Sequence, residues 1–137
     1  MPMIPRPEKT IKELSPAPGN MNVYEYFLAC TGHIDHDYPL LQFMGNDCSR
    51  AEFLADVDSI AAYFRNELKL EPGEAFVLFT PNTIEEVVML FALNKIGCIA
   101  YFLHPLLPSD VMKASVEYAR AKGISILDAA LEKHADV

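Results

Sequence analysis

A chain of 137 residues that is 51% hydrophobic, with eight Phe and six Tyr, carries enough apolar side chain to bury one domain-sized core. Its formal charge of −8 excludes nucleic acid as a partner, because that binding draws its affinity from clustered Lys and Arg. Three cysteines, Cys30, Cys48 and Cys98, form no CxxC pair and lay out neither a disulfide framework nor a zinc ribbon. No run approaches the roughly 18 apolar residues of a membrane helix. The N-terminal MPMIPRPEKT places prolines where a signal peptide needs an apolar stretch, so a cytoplasmic chain with no membrane partner is expected.

Five of the ten prolines precede Gly19, so residues 1–20 are expected to form an extended arm outside the core. Val23, Tyr24, Phe27, Leu28 and Cys30 then recur near helical spacing behind Asn22, an N-cap candidate, and Gly32 ends that helix. The stretch from Pro39 to Met44, followed by Gly45-Asn46-Asp47 and Cys48-Ser49, predicts a small hairpin. Ser49 and Glu52 form a capping box before Phe53, Val57, Ile60, Ala61, Phe64 and Leu68, which predicts an amphipathic helix over 50–68. Between Asp35 and Asp58, six acidic residues (Asp35, Asp37, Asp47, Glu52, Asp56 and Asp58) face only Arg50 and read as a solvated acidic face.

Pro72-Gly73 ends the next connection, and the apolar run 75–79 has the composition of a parallel strand buried on both faces. Thr83 with Glu86 predicts a second capping box, with Asn82 as a further cap candidate; Lys95 and Gly97 supply the matching C-terminal signals. Residues 98–103 predict another buried strand. Pro108-Ser109-Asp110 opens a helix expected to turn Val111, Met112, Ser115, Tyr118 and Ala119 inward, with Gly123 closing it. A short strand at 124–127 and a final helix capped by Asp128 complete the order. From residue 74 the elements run β-α-β-α-β-α, which with right-handed crossovers makes a partial doubly wound α/β unit around a short parallel sheet. Three strands are few for such a sheet, and the chain reads as the beginning of something longer.

Ligands of open α/β sheets bind outside the carboxyl ends of the strands. Those ends carry Thr80, Asn82 and His104, a candidate polar cluster, although strand termination, capping and a local backbone hydrogen bond, respectively, account for the three more simply. His33-Ile34-Asp35-His36-Asp37 holds four ligand types in five residues but lacks the i, i+4 helical spacing that aims two imidazoles together, so no metal site is assigned. No Gly-rich loop with Lys and Ser or Thr is present, and the turn after residue 79 reads Thr-Pro-Asn, without the glycines a pyrophosphate requires.

Taken in order, the wording of the chain resembles the N-terminal part of the adenylate-forming superfamily, the AMP-binding acyl-CoA synthetases and ligases. Asn22-Val23-Tyr24-Glu25 is similar to the family's opening helix, and Pro39-Leu40-Leu41-Gln42-Phe43 with Cys48-Ser49-Arg50-Ala51-Glu52-Phe53 to its hairpin and following helix start. Leu70-Glu71-Pro72-Gly73-Glu74-Ala75-Phe76-Val77 resembles its "Gly-Val-x-x-Gly-Asp-x-Val" turn and strand, and Pro81-Asn82-Thr83-Ile84-Glu85 its "Pro-Asn-x-x-Glu" step. Leu93-Asn94-Lys95-Ile96-Gly97-Cys98-Ile99 resembles its "Ala-x-x-Lys-x-Gly-Ala-Val", and His104-Pro105 through Asp110-Val111 its "Asn-Pro…Glu-Leu". Glu74, His104 and Asp110 depart from the usual Asp, Asn and Glu.

The resemblance covers roughly residues 20 to 128. It implies that residues 21–137 are the N-terminal subdomain of an ATP-dependent acid–thiol ligase, which activates a carboxylate as an acyl-adenylate and passes it to CoA. ATP, Mg2+ and CoA are then cofactors of the whole enzyme, whose phosphate loop, adenine- and ribose-binding residues and catalytic Lys lie in the family downstream of position 137. On this reading the chain alone has no catalytic, cofactor-binding or metal-binding residues. Its partners are the remainder of the synthetase and, through exposed sheet edge or helix faces, other copies of itself. An interaction module derived from the same subdomain is the alternative, and a small nucleotide-binding domain ranks below both.

Overall fold

The computed structural model describes residues 19–137, so the proline-rich arm lies outside the described residues except for its last two positions. Helix α1 (Val23–Thr31) opens with a reciprocal capping box: Asn22 Oδ1 accepts from the Glu25 N–H at 2.8 Å, and the Glu25 carboxylate accepts from the Asn22 N–H at 2.9 Å. Strands β1 (Pro39–Phe43) and β2 (Asn46–Ser49) pair antiparallel. Both residues of their turn, Met44 and Gly45, have positive φ, 49° and 82°, as a hairpin of right-twisted strands demands; the turn is therefore one residue earlier than Gly45-Asn46-Asp47. Helix α2 (Arg50–Asn66) begins with the predicted Ser49–Glu52 box, and the Ser49 N–H and hydroxyl hold the Glu52 carboxyl below its ordinary value.

The remaining elements are β3 (Ala75–Phe79), α3 (Ile84–Lys95), β4 (Ile99–Phe102), α4 (Ser109–Ala119), β5 (Ile124–Ile126) and α5 (Asp128–Leu131), followed by a 3-10 turn at Glu132–His134. The three later strands are parallel neighbours in the order β4-β3-β5, with Ala75 opposite Ile99 and Val77 opposite Ile124. All five residues of central β3 are buried, and their side chains alternate between two cores. Phe76 and Leu78 face the layer made by α1, α2 and α3, while Val77 and Phe79 meet Met112 and Val116 of α4 on the opposite face. The unit is thus three-layered.

The thicker layer is fastened by aromatic contacts. Phe27 of α1, Phe53 of α2 and Phe91 of α3 meet edge to face, with centroids 5.1 to 5.6 Å apart, so each helix is fixed against the other two. Lys95 at the end of α3 pairs with Asp58 of α2 and lies 5.1 Å from the Tyr24 ring centroid, a cation–π contact to α1.

Four further expectations are corrected. Strand β4 is not buried throughout: Ile99 and Phe102 are 52% and 51% exposed, because β3 is its only strand neighbour among the described residues. In α4 the inward stripe is Met112 and Val116, an i, i+4 pair, whereas Val111 is 42% and Tyr118 85% exposed. That helix closes on Arg120 in the left-handed region rather than on Gly123, which is needed for space: a Cβ there would stand 2.6 Å from Phe76 Cε2. Asp128 is the first helical residue of α5, with Leu127 in the cap position. Among the described residues no helix is long and apolar enough to cross a membrane.

Candidate functional site

The parallel register brings the carboxyl ends of β3 and β4 out on the same side, where Leu103 N–H donates to the Leu78 carbonyl at 3.0 Å. Thr80 follows β3 and is 8% exposed; its hydroxyl donates to Glu86 Oε1 at 3.2 Å. Glu86, in the first turn of α3, is 5% exposed. Burial pushes its carboxyl above the ordinary value, and the Thr80 hydroxyl bond opposes that rise. The N-cap of α3 is Thr83, whose Oγ1 accepts from the Glu86 N–H at 3.3 Å. Only half of the predicted capping box therefore forms, since the Glu86 side chain has turned to Thr80.

Asn82 does not cap α3. It is exposed and lines a cleft of about 110 Å³ together with Leu41, Gln42, Phe43 and Val87. His104 is also exposed, and its Nδ1 accepts from the Leu106 N–H at 3.2 Å, which pins the turn after β4. Among the described residues no hydrogen bond joins Thr80, Asn82 and His104. Thr80 and His104 are used locally, and Asn82 faces the cleft.

A polar pair that sequence reasoning missed lies on the α4 side. His134 is 5% exposed, its ring edge-on to Phe79 at 5.1 Å, and its Nδ1 lies 2.9 Å from the Ser109 hydroxyl. Ser109 donates its one hydrogen to the Lys133 carbonyl at 3.0 Å, so the Nδ1 contact assigns the imidazole proton to Nδ1. Nε2 has no hydrogen-bond partner among the described residues. A hydroxyl committed to a carbonyl is not activated by an adjacent base, so the pair joins α4 to the last turn and is not a nucleophile. Twenty-five residues of separation leave no sequence signal for it.

Around His33, Asp35, His36 and Asp37, as elsewhere among the described residues, no three His, Cys, Asp or Glu side chains converge on a metal-sized position. Lys95 is engaged with Asp58 at the far end of α3 from the strand termini.

This layered sheet is the fold of the N-terminal subdomain of adenylate-forming enzymes. It superposes on an anthranilate CoA ligase, AuaEII, solved with anthranoyl-AMP, at a TM-score of 0.77 and 17% identity, over 84% of this chain and 22% of that one. A benzoate CoA ligase from Burkholderia xenovorans LB400 gives a TM-score of 0.78 at 14% identity, over 84% and 23% of the two chains. A family model described as AMP-binding enzyme matches residues 31–137, and the chain belongs to that family. A long-chain-fatty-acid–CoA ligase of Haemophilus influenzae is 30% identical over 69 residues, half of this chain and 12% of that protein. The chain therefore spans about an eighth of that curated relative and under a quarter of these two solved ligases.

Proposed function

We propose that the chain is the N-terminal portion of an AMP-forming acid–thiol ligase that activates a carboxylate with ATP and Mg2+ and transfers the acyl group to CoA in the cytoplasm. The carrying observation is the state of the carboxyl end of β3: Thr80 is buried and spent on Glu86, and the adjoining turn is Pro81-Asn82, without the glycines that let a backbone approach a pyrophosphate closely. Adenylation needs donors around the phosphates and a cation on the developing charge, and the loss of one well-placed donor typically costs about 10² to 10³ in rate. Residues 1–137 alone are thus inert scaffold, and the phosphate loop belongs to another segment.

The experiment is titration calorimetry of residues 1–137 with ATP and Mg2+, with pyrophosphate exchange measured alongside. No saturable heat and no exchange is the expected result. Micromolar binding abolished by Thr80→Ala, Asn82→Ala or His104→Ala would overturn the reading and favour a small nucleotide-binding domain. The exposed Ile99 and Phe102 of β4 support a second reading, in which the subdomain associates through its sheet edge with other copies or with a separate chain. Dimers seen by light scattering that disappear in Phe102→Lys would favour it.

A further inference from the structure

The seam between α2 and α3 forms an apolar groove that neither the family membership nor the proposed activity uses. Ile60 of α2 and Ile84, Val88 and Met89 of α3 line it, with Asp56, Ser59 and Glu85 on its lips, enclosing about 260 Å³. Asp56, Ile84 and Glu85 also line an adjoining cleft of about 330 Å³ with Asp47, Cys48 and Glu52, so groove and cleft are continuous. Among the described residues none of Asp47, Glu52, Asp56 and Glu85 is in an ion pair. The Cys48 thiol senses the same field: burial raises its pKa first, and the Asp56 and Glu52 carboxylates raise it further.

We infer that this groove docks a basic amphipathic polypeptide segment, with apolar side chains seated on Ile60, Ile84 and Met89 and Lys or Arg side chains over Asp56 and Glu85. Three observations select that occupant. The apolar part of the space, about 260 Å³, is of a size to seat one anchoring side chain, and the continuous cleft extends its acidic lip toward Asp47 and Glu52. The carboxylates do not converge, which excludes a bare divalent cation and calls for several spaced positive charges. A Met on an apolar floor between two helices is the kind of adaptable surface that receives a helix laid in a groove.

The test titrates fluorescein-labelled Leu/Lys amphipathic helix peptide into the full 137-residue chain, with an otherwise identical Leu/Glu peptide as control. Saturable binding of the Lys peptide is expected, with changes at the Met89 and Ile84 methyl resonances and a steep loss of affinity from about 0.05 to 0.5 M salt. Asp56→Asn with Glu85→Gln should weaken it about 3- to 10-fold, the sum of two rim charge pairs. Both residues are exposed, so these changes leave the fold intact, as thermal melts would verify. Met89→Ser should weaken binding without removing its salt dependence. Equal binding of the Leu/Glu peptide, insensitivity to the double substitution, or methyl shifts that follow protein concentration rather than peptide would overturn the inference, the last in favour of a second copy of this chain.

Discussion

Replacing Gly123 by Ala is the sharpest check on how the sheet is packed. Gly123 precedes β5 and is not in the left-handed region, so its value is the space it leaves free. An added Cβ meets Phe76 Cε2 at 2.6 Å and Cδ2 at 3.1 Å. Neither side can easily give way. The flanking backbone is held by Val77 N–H to the Gly123 carbonyl at 2.9 Å and Lys122 N–H to the Ala75 carbonyl at 2.8 Å, and the Phe76 ring is 5% exposed and packed 4.9 Å from Phe64. Forcing one methyl into such a core costs about 1–3 kcal/mol. The lower entropy of the unfolded Ala chain returns about 0.4–1 kcal/mol, so a net loss of about 1–2 kcal/mol is expected. With a urea dependence of about 2 kcal/mol/M, the unfolding midpoint falls by about 0.5–1 M. Gly32→Ala is the control of opposite sign, since its new Cβ finds only the Leu28 carbonyl at 3.5 Å. A Gly123→Ala chain as stable as the parent would refute the placement of β5 against Phe76.

Two further substitutions test the carboxyl end of β3. Thr83→Ala removes the α3 cap and should cost about 0.5–2 kcal/mol, while Asn82→Ala should stay within about 0.5 kcal/mol; equal losses in urea melts would contradict the cap assignment. The Glu86 carboxyl is raised by burial, so its contribution to stability is complete below the unfolded value near about 4.3 and is lost as pH rises through the raised folded value. Glu86→Gln still accepts the Thr80 hydroxyl and never ionises. It should therefore gain stability relative to the parent as pH rises above the unfolded value, and a difference that stays constant with pH would refute the assignment.

What could be read from sequence follows from how local each signal is. The Asn22 cap and the Ser49 box were legible because the partners lie within three residues, and β3 because an unbroken apolar run can only be covered on both faces. The face of α4 was not legible. Val111, Met112, Ser115, Val116 and Tyr118 offer two overlapping stripes, and only docking on Val77 and Phe79 selects Met112 and Val116. Strand β4 was misread for a related reason: Ile99 and Phe102 have the composition of a covered strand, but cover is supplied by other segments and not by the strand itself.

The candidate site shows the same division. Asn82 and Thr83 are adjacent polar residues, either eligible to cap a helix, and the choice depends on backbone angles: Thr83, at φ −109° and ψ 170°, is where the chain turns into α3. Once Thr83 holds the Glu86 N–H, the Glu86 side chain is free to reach Thr80, six residues back, and this closes the end of β3 with a buried acid. Thr80, Thr83 and Glu86 are thus committed to the turn that leads β3 into α3. A strand end used in this way fixes the crossover from β3 into α3.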